Sequence, residues 1–102
     1  MYTLVYTAGV PEEVYVFTDQ TYQRLAAAAI RPLSVTDVLF GRHRVRRHIG
    51  AAFQVAGRDR SGTWLAVALI EGEDDEYTVI CARYLDEAEI EAVGRMGGRA
   101  NE

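Results

Sequence analysis

A small α+β domain, with helices on one face of a mainly antiparallel sheet, is the fold this chain predicts. Three observations carry it. Apolar runs at about 45–57, 63–70 and 77–84 are separated by the turn sequences Asp59-Arg60-Ser61-Gly62 and Gly72-Glu73-Asp74-Asp75, which reads as a three-stranded meander. Tyr22, Leu25, Ala26, Ala29 and Ile30 recur at helical spacing. Asp86 and Glu89 have the spacing of a capping box ahead of Ile90 and Val93.

Taken in order, Tyr2-Thr3-Leu4-Val5-Tyr6 alternates as an N-terminal strand. After the turn Gly9-Val10-Pro11, Val14-Tyr15-Val16-Phe17 has the composition of a second short one. Thr18-Asp19 caps a helix running through Ile30, and Pro32 stops it. Ser34 and Asp37 predict the cap of a second helix, Val35–Phe40, closed by Gly41. The first strand of the meander is long enough to bend at Gly50. A final helix begins near Asp86 and ends at Gly97-Gly98. The expected organisation is one domain over 1–96 and a flexible tail over 97–102. The expected core is Leu25, Ile30, Val38, Leu39, Val55, Leu65, Val67, Leu69, Val79, Cys81, Ile90 and Val93, with Trp64 covering the sheet edge.

Composition narrows the class. No apolar stretch approaches the length of a membrane span, and no basic cluster precedes an apolar run at the start, so a cytoplasmic protein is expected. The single cysteine, Cys81, allows no internal disulfide and reads as a small strand residue. HExxH, CxxC, a phosphate-binding glycine loop and a serine elbow are all missing. His43 and His48 lack the spacing and companions of a metal site, so neither metal nor cofactor is expected.

Charge is distributed unevenly along the chain. All eleven basic residues are arginine. Residues 42–60 hold six arginines against Asp59, a local +5, while 71–91 hold nine acids against Arg83, a local −8. A guanidinium grips phosphate with a planar fork, so Arg42, Arg44, Arg46, Arg47 and Arg60 are candidates for RNA binding. The same arginines are equally suited to pairing with the acidic stretch.

The remaining chemistry-bearing set is arginine, histidine and tyrosine. Such a set suits RNA cleavage without a metal, because the substrate supplies the 2′-hydroxyl as nucleophile. Arg83 ends an otherwise apolar strand and needs a carboxylate, a carbonyl or a ligand. As first and third strands of a meander run the same way, Arg58 and Arg83 are expected on one open face about 10 Å apart, twice the interstrand distance. His43 or His48 is expected at its rim. An Arg83 both buried and fully paired with Asp86 or Glu89 would instead favour an interaction role.

The chain resembles the BrnT-type toxins of bacterial toxin–antitoxin pairs, small ribonucleases with a RelE-like fold. The likeness covers roughly 19–95 and rests on Ile30 with Ser34-Val35-Thr36-Asp37-Val38, Val55-Ala56-Gly57-Arg58, Gly62-Thr63-Trp64-Leu65-Ala66-Val67, Val79-Ile80-Cys81-Ala82-Arg83, and Glu89. The chain departs from the family at Ala26–Ala29, where a lysine or histidine is usual, and at Val93-Gly94-Arg95-Met96, where arginine and tyrosine are frequent. The resemblance implies that Arg58 and Arg83 bind and stabilise the phosphate. It makes His43 or His48 the proton-transfer candidates and has Tyr84 stack on or position a base. RNA and a cognate antitoxin protein are the partners it implies, and self-association into a homo-oligomer is left open. The alternatives are a non-catalytic protein-interaction module of the same fold and a DNA-binding regulator built on a loose helix-turn-helix at 25–40.

Overall fold

The computed structural model describes residues 4–7, 14–41, 44–50, 52–72 and 76–100, with backbone only for 4–7, 49 and 96–100. It is an α+β fold with the order β1 (Leu4–Thr7), β2 (Val14–Phe17), α1 (Asp19–Ala27), α2 (Pro32–Leu39), β3 (Val45–Ile49), β4 (Ala52–Arg58), β5 (Trp64–Glu71), β6 (Glu76–Tyr84) and α3 (Glu87–Ala100). The six strands form one sheet in the order β1-β2-β6-β5-β4-β3. The expected hairpin pairings are present, with β4 antiparallel to β5 and β5 antiparallel to β6. The sheet is nevertheless mixed, because β2 lies parallel to β6, with Val14 opposite Glu76 and Phe17 opposite Val79.

The run at 45–57 is two strands rather than one bent strand. Gly50 takes φ +62°, and the chain reverses so that Val45 faces Ala56 and Ile49 faces Ala52. Glycine enters this left-handed region without the Cβ penalty other residues meet. The meander therefore has four strands.

Helix boundaries moved for equally local reasons. Thr18 caps α1 through a reciprocal box with Thr21, and the Thr21 hydroxyl donates to the Val79 carbonyl at 2.6 Å. The helix stops well before Pro32. Ile30 N–H returns to the Leu25 carbonyl at 2.9 Å and Ala29 N–H to that of Ala26 at 3.0 Å, while Ala29 sits at φ +57°. This is a Schellman closure with alanine where glycine is usual. Pro32 instead opens α2, where its missing N–H costs nothing. Ser34 is inside α2 and buried, so it is not the cap. Asp37 reaches across to Arg60 instead. In α3 the Asp86–Glu89 box forms as expected, with Glu89 N–H on Asp86 Oδ1 at 2.8 Å and Asp86 N–H on Glu89 Oε1 at 3.0 Å. That helix continues through Gly97 and Gly98 to Ala100 rather than ending there.

Ala29→Gly is expected to stabilise the domain by about 1 kcal/mol, because it removes a Cβ held in the left-handed region. A urea midpoint unchanged or lowered in the variant contradicts this.

The core lies between the sheet and the α1–α2 pair. Tyr15, Phe17, Leu25, Val35, Val38, Leu39, Phe53, Val55, Leu65, Val67, Leu69, Tyr77 and Val79 are among its buried members. Of the expected set, Cys81, Ile90 and Val93 are only half-buried. Ile90 and Val93 belong to α3, outside this core. Cys81 is displaced by a bulge: Ala68 faces Cys81 but Leu69 faces Val79, so Ile80 is an extra residue in β6. The bulge reverses the alternation, burying Tyr77, Val79 and Ala82 on the helix-covered side. Beyond it, Tyr84 reaches Ala29 at the end of α1 and Arg83 reaches Glu89 of α3.

Candidate functional site

The sheet face under α3 carries the arginine that closes β6. Register aligns Val45, Ala56, Ala66 and Arg83 across four strands. Arg47 and Gln54 form the next pair on β3 and β4. Beside Ala56, and under Ala92 and Val93 of α3, lies a hollow of about 130 Å³ whose polar lining is Arg47, Gln54, Arg83 and Glu89.

Arg83 and Glu89 form a two-pronged pair, Nη1 to Oε1 at 2.8 Å and Nη2 to Oε2 at 2.6 Å. The guanidinium side chain stays 53% exposed, so the pair faces solvent rather than the core. Of the two conditions that would favour an interaction role, pairing is met and burial is not. The Arg83 hydrogen bonds, the Asp86 backbone N–H and the Arg83 and Arg47 charges together hold the Glu89 carboxyl down to about 2. In return Glu89 raises the Arg83 guanidinium above its ordinary value. Two cations and one carboxylate thus converge on a shallow, water-accessible hollow, an arrangement that suits an oxyanion in exchange with Glu89.

The pH consequence has a definite sign. Glu89 has its folded pKa depressed, so its contribution to stability is complete above the ordinary value of 4.5 and is lost as pH falls through about 2. The stability advantage of the wild type over Glu89→Gln is therefore expected to shrink steadily across that window. Urea midpoints measured across the same pH range check this, and parallel curves contradict it.

The other anticipated residues are dispersed. Register sets Arg58 on the same sheet face as Arg83, as expected, two residues beyond Ala56 on β4, but it lies over the Trp64 ring, 5.3 Å from its centroid, outside the hollow's lining. Arg47 rather than Arg58 accompanies Arg83. His48 packs on Phe53 with centroids 5.4 Å apart, and Arg46 lies 5.0 Å over that ring and 5.8 Å over Tyr77. Phe53 and Tyr77 belong to the core side of the sheet, so His48 and Arg46 sit on the face opposite Arg83. Tyr84 donates to the Ala29 carbonyl at 2.6 Å, also on the face covered by α1 and α2. Arg44 is engaged with the Leu39 carbonyl and the Tyr15 hydroxyl. Arg60 pairs with Asp37, its Nε at 3.3 Å. Arg42 and His43 lie outside the described residues.

Gln54 was not anticipated, and Arg47 only as one charge in a run. Both become visible once 45–57 is read as a hairpin, because its register then sets Arg47 opposite Gln54. A second, open groove of about 850 Å³ runs between α2 and the β4–β5 turn. The exposed Leu33 and Phe40 line it, together with Arg31, Arg58 and Arg60.

Among the described residues, no group of three or more His, Cys, Asp or Glu is arranged to hold a metal ion. No described helix is long and apolar enough to cross a membrane. No family model matches the chain, and no curated protein matches it.

Proposed function

We propose that this chain is a metal-independent endoribonuclease toxin of the BrnT type, with a RelE-like fold, acting in the cytoplasm and held in check by an antitoxin. The observation that carries the reading is the Arg83–Glu89 pair with Arg47 beside it, at an open hollow on the sheet. An RNA phosphate would compete with Glu89 for the Arg83 fork. Released from Arg83, Glu89 regains basicity and accepts the 2′-hydroxyl proton. The 2′-oxygen attacks phosphorus, and Arg83 and Arg47 stabilise the charge gathering on the phosphoryl oxygens. The 5′-oxygen leaves and takes a proton from water. The products are a 2′,3′-cyclic phosphate and a 5′-hydroxyl.

A non-catalytic interaction module is the second reading. It is favoured by the closed state of the Arg83 fork and by the position of His48 and Tyr84 on the far face. A DNA-binding regulator loses its support, since α2 spends Val35, Val38 and Leu39 on the core.

The deciding experiment incubates the purified chain with single-stranded RNA in excess chelator and analyses fragment ends. Cyclic-phosphate ends are expected. Intact RNA, under conditions where the protein is folded, sinks the nuclease reading in favour of the interaction module.

A further inference from the structure

Strand β3 ends the sheet on one side, and among the described residues it pairs only with β4. Its five residues read Val45-Arg46-Arg47-His48-Ile49, and 46–48 are exposed. An outermost strand presents a row of backbone donors and acceptors that a further strand can pair. Here that row is flanked by cations on both faces. Arg46 lies over the Phe53 and Tyr77 rings on one side, and Arg47 lines the hollow with Arg83 on the other.

These charges select among occupants. A second copy pairing antiparallel through the same strand would set arginines against arginines, and like charges opposite one another destabilise a sheet. A strand of opposite charge gains from the same positions. Nucleic acid fits the edge less well, since the outward carbonyls repel phosphates while an extended peptide matches their spacing of about 3.4 Å per residue. Arg46 also loses little freedom on binding, because ring contacts already hold it in place.

We propose that the outer edge of β3 is a docking site for an extended acidic segment of a partner protein. The segment adds to the sheet as a further strand and sets carboxylates against Arg46 on one face and Arg47 on the other. A carboxylate at Arg47 stands beside the Arg83–Glu89 pair, so the docked segment excludes an anionic substrate from the hollow. That last consequence rests on the nuclease reading. The docking itself does not.

The test uses the full chain and blocked nine-residue peptides, without RNA. One peptide carries three consecutive glutamates between Val and Thr residues. A second carries glutamines in their place, and a third keeps the glutamates but has its backbone nitrogens methylated. Binding of the first is expected, with slowed amide exchange confined to 45–50. The other two peptides should bind at least tenfold more weakly, as should the glutamate peptide to the doubly substituted Arg46→Glu, Arg47→Glu protein with its melting temperature retained. No binding of the first peptide overturns the proposal, as does equal binding of the methylated one. Tighter binding of a single-stranded RNA oligonucleotide protecting the same amides also overturns it, and assigns the edge to nucleic acid. Failure of RNA cleavage alone leaves these readouts unaffected.

Discussion

Arg83→Ala is expected to lower RNA cleavage by at least about 10²-fold, the usual cost of deleting one donor aimed at charge developing in a transition state. The loss is expected without unfolding. Both side chains of the Arg83–Glu89 pair meet solvent, 53% and 34% exposed, and a surface pair screened in this way adds little to stability. Melting temperature should therefore barely move while activity collapses. Arg83→Lys is expected to recover only part of the rate, because an ammonium supplies charge without the two-pronged fork. Glu89→Gln separates the roles further. It frees the Arg83 fork, so RNA binding should tighten, yet it removes the proton acceptor, so cleavage should fall. Wild-type cleavage by the Arg83→Ala protein would mean that the hollow is not where RNA is cut.

Phe17→Ala is expected to cost about 3–5 kcal/mol, the usual penalty for removing a buried ring. Phe17 is 0% exposed and lies opposite Val79 at the parallel β2–β6 seam, its ring 5.8 Å from that of Tyr22. A domain of this size has roughly 5–15 kcal/mol in total, so a large share of stability rests on one side chain. Urea unfolding of the two proteins measures the difference. A loss under about 1 kcal/mol would show that the N-terminal hairpin adds little to the core. Phe17→Leu, which keeps most of the volume, is the milder companion variant.

Local signals in the chain were sufficient for much of this architecture. Asp86 and Glu89 form the box their spacing predicts, and the Asp59–Gly62 turn joins two antiparallel strands. Thr18 caps α1, and the expected core positions of α1, α2, β4 and β5 are buried. Each depends on neighbours a few residues away, where period and turn chemistry act. Gly50 is where the linear pattern misleads, since the chain reverses there instead of bending. A left-handed glycine serves a bend and a reversal equally well, and the difference here separates a three-stranded from a four-stranded meander.

By itself, then, the sequence determined an α+β domain, the antiparallel β4–β5 and β5–β6 pairings, the N-terminal caps of α1 and α3 and most of its apolar core, because these follow from contacts close along the chain. Only the tertiary structure decided the parallel β2–β6 seam, which joins strands about sixty residues apart with no short-range signal to announce it. It also decided which cations meet. The bulge at Ile80 turns Arg83 toward α3 and Tyr84 toward α1, and the reversal at Gly50 puts Arg47 beside Glu89 while His48 goes to the other face. A one-residue change of register exchanges the two faces of a strand. The grouping of polar side chains is therefore the property least visible in a linear pattern, and the one on which the candidate site depends.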